Sequence, residues 1–85
     1  MKRDFIKPYN QLKKIGVPVY EHSDDNGNFS IDGEHPESYL WCDYYDGHTI
    51  PDWDFGINPK IGQILSKHGM FVEWVNPGRL AVYYI

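Results

Sequence analysis

The sequence predicts a single α+β domain over residues 1–85, with an antiparallel sheet of about five strands and two short helices on one face. Three observations predict this fold. Two amphipathic segments each end at a glycine, runs of alternating apolar residues follow them, and turn residues separate those runs. The element order is therefore α-β-β-β-α-β-β. A helix, a glycine and a hairpin occur near both ends of the chain, as in a loose αββ repeat.

The first half of the chain begins with a helix and a hairpin. Apolar residues three positions apart predict the helix over residues 4–15, and Gly16 is its expected stop. Residues 17–22 alternate and predict a strand, in which Pro18 indicates a sheet edge. The turn residues of 23–28 include Asn26-Gly27, and a second strand is expected over 28–32.

The second half begins with an aromatic run. Residues 39–45 are apolar or aromatic at nearly every position, which predicts a third strand that is covered on both faces. Residues 48–56 predict an ordered loop held by Ile50, Trp53 and Phe55. Asn58-Pro59 is typical of a helix start. The last two runs, 70–75 and 79–85, predict a hairpin around residues 76–78.

Charge is unevenly distributed along the chain. Residues 21–59 hold ten of the twelve carboxylates and no lysine or arginine, whereas the formal net charge of the whole chain is −4. An acidic protein repels phosphates, so we expect no direct binding to nucleic acid. No run reaches the roughly 20 apolar residues of a membrane span, so we expect no membrane association. One cysteine and a start without an apolar run predict a cytoplasmic location.

The sequence favours a non-enzymatic protein. It has no Cys-x-x-Cys spacing, no glycine-rich phosphate loop and no glycine-flanked serine, so we expect no catalytic residue, no bound metal and no cofactor. The alternative that stays open is a small metal-dependent hydrolase. Its site would use the acids and the histidine of residues 43–54, namely Asp43, Asp46, His48, Asp52 and Asp54.

Aromatic rings and acids interleave over residues 39–55, and this pattern predicts an interaction module. Tyrosine and tryptophan dominate binding hot spots, and carboxylates attract a positively charged surface. We therefore expect a basic partner protein. In a sharper form, the acids imitate a nucleic-acid backbone, as in a phage-like accessory inhibitor. The candidate partner-binding residues are Asp43, Tyr45, Asp46, His48, Asp52, Trp53 and Asp54.

Two further interpretations stay open at this point. The rings of residues 39–55 are equally compatible with a core position, in which case the acids are only solvated. The chain is also expected to form a homo-oligomer if an exposed edge strand pairs with a second copy, and Leu80–Ile85 is the candidate strand.

Overall fold

The computed structural model describes all 85 residues. Its helices are α1 (Arg3–Lys14) and α2 (Pro59–Ser66), and its strands are β1 (Val19–Tyr20), β2 (Ser30–Asp32), β3 (Met70–Asn76) and β4 (Arg79–Tyr84). All strand pairs are antiparallel, in the order β1-β2-β4-β3. The predicted α+β class is confirmed, with four strands where about five were expected. Neither helix is long and apolar enough to cross a membrane.

Both helices are amphipathic and start where the sequence predicts. Phe5, Pro8 and Leu12 are the buried residues of α1, so their spacing of three and four keeps them on one side. In α2, the Asn58 side chain accepts a hydrogen bond from the backbone N–H of Lys60 at 3.0 Å, and proline occupies the first turn. These contacts satisfy the start of a helix that is too short to be stable alone.

The sheet buries one face against both helices. Ile31 of β2 lies opposite Leu80 of β4, and both side chains are fully buried. The core cluster joins strand residues to residues of α1 and α2: Phe5, Leu12, Val17, Phe29, Ile31, Trp41, Cys42, Ile61, Leu65, Met70, Leu80 and Val82. Because no helix covers the opposite face, polar side chains occur there beside half-exposed rings such as Phe71 and Tyr83.

The predicted strand over residues 39–45 is wrong. Residues Ser38–Leu40 form a 3-10 turn, and only Cys42 makes an isolated bridge, to Ile57. The Ser38 carbonyl accepts hydrogen bonds from the backbone N–H groups of both Trp41 and Cys42, at 2.8 and 2.9 Å, which bends the chain. The buried residues are therefore two neighbours, Trp41 and Cys42, and the tyrosines around them remain exposed.

The expected free edge at Leu80–Ile85 is also wrong, because β4 lies between β2 and β3. The sheet edges are β1 and β3. The first strand is shorter than residues 17–22, since the His22 side chain instead accepts a hydrogen bond from the Asp24 N–H and caps a 3-10 turn at Ser23–Asp25. Self-association stays a prediction, and it would have to use β1 or β3.

Candidate interaction surface

The candidate residues lie on one closed loop between Cys42 and Ile57. At the neck of this loop, the Asp43 N–H donates to the Gly56 carbonyl at 2.8 Å, and the Asn58 N–H donates to the Trp41 carbonyl at 2.8 Å. Two glycines allow the backbones to meet: a Cβ at Gly47 would lie 2.5 Å from the Cα of Gly56. The neck therefore fixes the start and end of the loop without a regular sheet.

Asp43 has a structural role inside the loop. Its carboxylate accepts hydrogen bonds from the backbone N–H groups of Tyr45 at 3.0 Å and Asp46 at 3.1 Å. Its carbonyl accepts from the Gly47 N–H at 3.0 Å. This is the usual way in which an aspartate organises a turn, and it leaves the carboxylate less free for a partner than its neighbours.

The other predicted site residues face solvent. Tyr45 is 69% exposed, Trp53 is half-buried, and the remaining four, Asp46, His48, Asp52 and Asp54, are exposed. Asp52 adopts a left-handed backbone with φ 69°, a conformation that aspartate and asparagine tolerate better than most residues. The loop thus displays its acids and does not fold them inward.

The carboxylates of this loop are not neutralised by the basic ends of the chain. The only ion pairs of acids in residues 21–59 are Glu21 with the N-terminal amine, Asp25 with Arg79, and Asp24 with His22. No lysine or arginine pairs with an acid of residues 43–54. The acids of residues 43–54 are therefore free of ion pairs within the chain.

The acids and the histidine of the hydrolase alternative do not converge. No three His, Cys, Asp or Glu side chains lie together in an arrangement that could hold a metal ion. Cys42 is buried, and burial, assisted by Asp43 and Asp32, raises the pKa of its thiol to about 12. The thiol is therefore protonated near neutral pH and is a poor nucleophile or metal ligand.

The candidate residues border two different concave regions. Asp43 and Tyr45 line a cavity of about 290 Å³ together with Tyr39 and Tyr44. Asp52 and Asp54 line another, of about 490 Å³, between the loop, α2 and β3. Asp46, His48 and Trp53 border neither cavity. The candidate partner-binding residues therefore lie on one exposed loop, and they are divided between its two faces.

Trp74, which the sequence did not single out, connects these faces. The Trp74 ring packs edge-on against Tyr44, with centroids 5.3 Å apart, and its indole N–H donates to the Phe55 carbonyl at 2.8 Å. Phe55 was expected to hold the loop down, but this is wrong, because its side chain is 85% exposed. No local sequence pattern indicates the contacts of Trp74 with Tyr44 and Phe55, because they join distant parts of the chain.

Asp25 belongs to a second polar cluster, on the sheet face without helices. It is 8% exposed, and its carboxylate accepts from the Ser30 hydroxyl at 2.7 Å and from Arg79 at 3.2 Å. The sequence suggested only a turn acid at this position. Burial is also the main cause that raises the pKa of Tyr20 beside this cluster. The cluster is internally satisfied and fastens the first hairpin to β4.

Comparison of the chain with protein-family models, curated proteins and solved structures finds no match.

Proposed function

We propose that this protein is a small non-catalytic interaction module that binds a basic partner protein. The binding region is the acidic-aromatic surface, which we define as the exposed acids and rings of residues 39–55 with Trp74 of β3. One observation carries the proposal: Tyr45 and Phe55 are 69% and 85% exposed beside carboxylates that have no cationic partner.

The rings of this surface are unusual in a chain of this size. A short chain depends on its large apolar side chains for a core, because only about 60% of its unfolded surface can be buried. Here Tyr39, Tyr44, Tyr45 and Phe55 all remain about half exposed or more. Rings of this kind provide large contact areas with little loss of side-chain entropy, which suits a binding surface.

The charge of the surface indicates the partner. Asp46, Asp52 and Asp54 are exposed, and no ion pair holds them. Such carboxylates accelerate encounter with a positively charged protein and disfavour an acidic one. A nucleic-acid-binding protein is the sharper candidate, since its basic groove would accept these acids in place of phosphates. The single cysteine, which cannot form a disulfide within the chain, supports a reducing cytoplasmic setting for this binding.

Charge-neutral variants test the proposal without disturbing the loop. At position 43, the amide oxygen of asparagine can accept the turn hydrogen bonds that the Asp43 carboxylate accepts. At position 52, asparagine tolerates the left-handed backbone. The test variant therefore carries Asp43→Asn, Asp46→Asn, Asp52→Asn and Asp54→Asn. Its matched control removes four exposed acids elsewhere: Asp4→Asn, Glu21→Gln, Asp24→Asn and Glu37→Gln.

The measurement is affinity capture from host lysate with each protein immobilised, followed by identification of the retained proteins. We expect the test variant to lose a basic protein that the wild-type chain and the control variant retain, with no loss of thermal stability. Equal retention by all three proteins would show that the acids of the loop do not bind the partner.

A further inference from the structure

Strand β3 has a free edge. It pairs only with β4. The Ile85 N–H donates to the Gly69 carbonyl at 2.9 Å, and this bond shows which residues of β3 are hydrogen-bonded to β4. Along an antiparallel strand, the backbone N–H and C=O groups of successive residues point in alternate directions. Those of Phe71 and Glu73 point toward β4. The N–H and C=O groups of Val72 and Trp74 therefore point away from the sheet. No other hydrogen bond of the chain reaches them.

An apolar groove runs along this edge. It has a volume of about 540 Å³ and is lined by Phe55, Ile57, Phe71, Val72, Glu73 and Trp74. Proteins usually protect a free edge by covering it, by a proline or by lysines on the strand. β3 contains no proline and no lysine, and its bulge between Trp74 and Asn76 lies at the end of the strand next to the turn. The groove therefore combines unpaired backbone groups with apolar walls, which is the arrangement that receives an added strand.

The outer wall of the groove is held in place at an energetic cost. Phe55 has φ 53°, a left-handed conformation that is unfavourable for a bulky residue. The bond from Trp74 fixes its carbonyl, and the ring projects into solvent. An exposed phenylalanine ring at a strained position adds little to the stability of the isolated chain. Its free surface is instead available for contact with a bound segment.

The charge around the groove selects the kind of segment. Glu73 lines the groove itself, and Asp52 and Asp54 line the cavity that continues it toward α2. No lysine or arginine lines either region. Pairing of β3 with β3 of a second copy would bring these carboxylates close to their own equivalents, which is repulsive. A basic segment would instead be attracted.

We propose that the free edge of β3 binds an extended segment of a basic partner, in which lysine or arginine alternates with apolar residues. The segment adds as a fifth strand, hydrogen-bonded to Val72 and Trp74. Its apolar side chains enter the groove beside Phe55, on the face of Val72 and Trp74, and its cations lie on the opposite face, beside Glu73. This inference rests on the proposed function, because it names the form in which the basic partner is recognised.

The test is an NMR titration of the ¹⁵N-labelled chain with an eight-residue peptide of alternating lysine and valine. We expect saturable shifts at the amides of Val72 and Trp74, with slower hydrogen exchange at both. A peptide of alternating glutamate and valine serves as the charge control and should cause at least tenfold weaker binding. Shifts confined to another surface, no shifts, or equal binding of both peptides would overturn the proposal.

Two variants distinguish binding in the groove from nonspecific binding to exposed apolar side chains. Phe55→Gly removes the ring and also relieves the left-handed strain, so folding should be retained while the peptide binds at least tenfold more weakly. Ile6→Ala removes an apolar side chain that is 45% exposed on α1, outside the groove and the acidic-aromatic surface, and it should change binding less than twofold. Equal loss in both variants would contradict the assignment of the groove.

Other outcomes distinguish the two proposals. Self-association through β3 in sedimentation, abolished by Phe55→Gly, would identify a second copy as the occupant and overturn this inference. Capture of a basic protein that depends on the loop acids but is unchanged by Phe55→Gly would also overturn it, while leaving the proposed function intact. Peptide binding at β3 together with capture that ignores the loop acids would contradict only the proposed function.

Discussion

The indole N–H of Trp74 donates a 2.8 Å hydrogen bond to the carbonyl oxygen of Phe55. The same ring contacts Tyr44 edge-on, at 5.3 Å between centroids. One side chain on β3 therefore positions both ring-bearing faces of the loop. The loop has no regular secondary structure beyond one short 3-10 turn, so this contact and the glycine neck determine how the acidic-aromatic surface is displayed.

Replacing Trp74 by phenylalanine should loosen the end of the loop. The variant keeps an aromatic ring but loses the bond to Phe55, for an expected cost of about 1 kcal/mol. We expect faster hydrogen exchange over residues 52–57 than in the wild-type chain. Trp53→Phe is the matched control, because the Trp53 indole donates no hydrogen bond to the chain and is only half-buried. Identical exchange in both variants would show that the bond does not hold the loop.

Replacing Arg79 by methionine should be strongly destabilising. It leaves the Asp25 carboxylate, whose side chain is 4% exposed, without its cation, and loss of one member of a buried pair costs about 3–5 kcal/mol. Urea unfolding measures this free energy. The pair of Glu21 with the N-terminus is more exposed, so Glu21→Gln should change the free energy of unfolding by no more than about 1 kcal/mol. Similar costs for the two variants would contradict the buried character of the Asp25 pair.

The glycines of the chain should respond to alanine in opposite directions. Gly56 has φ 76°, and a Cβ there would overlap the Asp43 carbonyl at the loop neck, so Gly56→Ala should lower the melting temperature markedly. Gly62 lies within α2 with open space around its missing Cβ. Gly62→Ala should therefore stabilise the protein by about 0.5–1 kcal/mol. Thermal unfolding of both variants checks this contrast, which would fail if Gly56→Ala were neutral.

The buried thiol of Cys42 should make the protein sensitive to alkali. Its pKa is 9.0 in ordinary surroundings and is raised to about 12 in the fold, chiefly by burial. Between these values the folded chain keeps a proton that the unfolded chain has lost, so stability falls as pH rises through this range. We expect Cys42→Ala to lose less stability over the same range, as measured by urea unfolding at several pH values. Parallel pH profiles would contradict the raised pKa.

The elements that sequence reasoning predicted correctly depend on local signals. Asn58-Pro59 starts a helix by a contact within three residues, and residues 76–78 form a turn between strands that pair directly. The aromatic run at 39–45 carries no such signal. A buried strand and a 3-10 turn that buries only Trp41 and Cys42 share the same composition, and tertiary contacts with residues 56–58 decide between them.

The candidate surface was predictable only in part. The composition located the acids of residues 43–54, because charge segregation is visible in one dimension. It did not distinguish Asp43, whose carboxylate organises a turn, from Asp46, whose carboxylate makes no hydrogen bond, since both are aspartates within the same aromatic-rich run. The role of Trp74 became visible only through its hydrogen bond to Phe55, 19 residues away in the chain.

The most direct test of partner binding by the loop acids is quantitative mass spectrometry of the proteins that three baits capture. The baits are the wild-type chain, the variant with asparagine at positions 43, 46, 52 and 54, and the control variant without four other exposed acids. We expect a basic protein whose retention falls at least tenfold with the loop variant only and weakens at high salt. Retention that is equal for all three folded baits would contradict it.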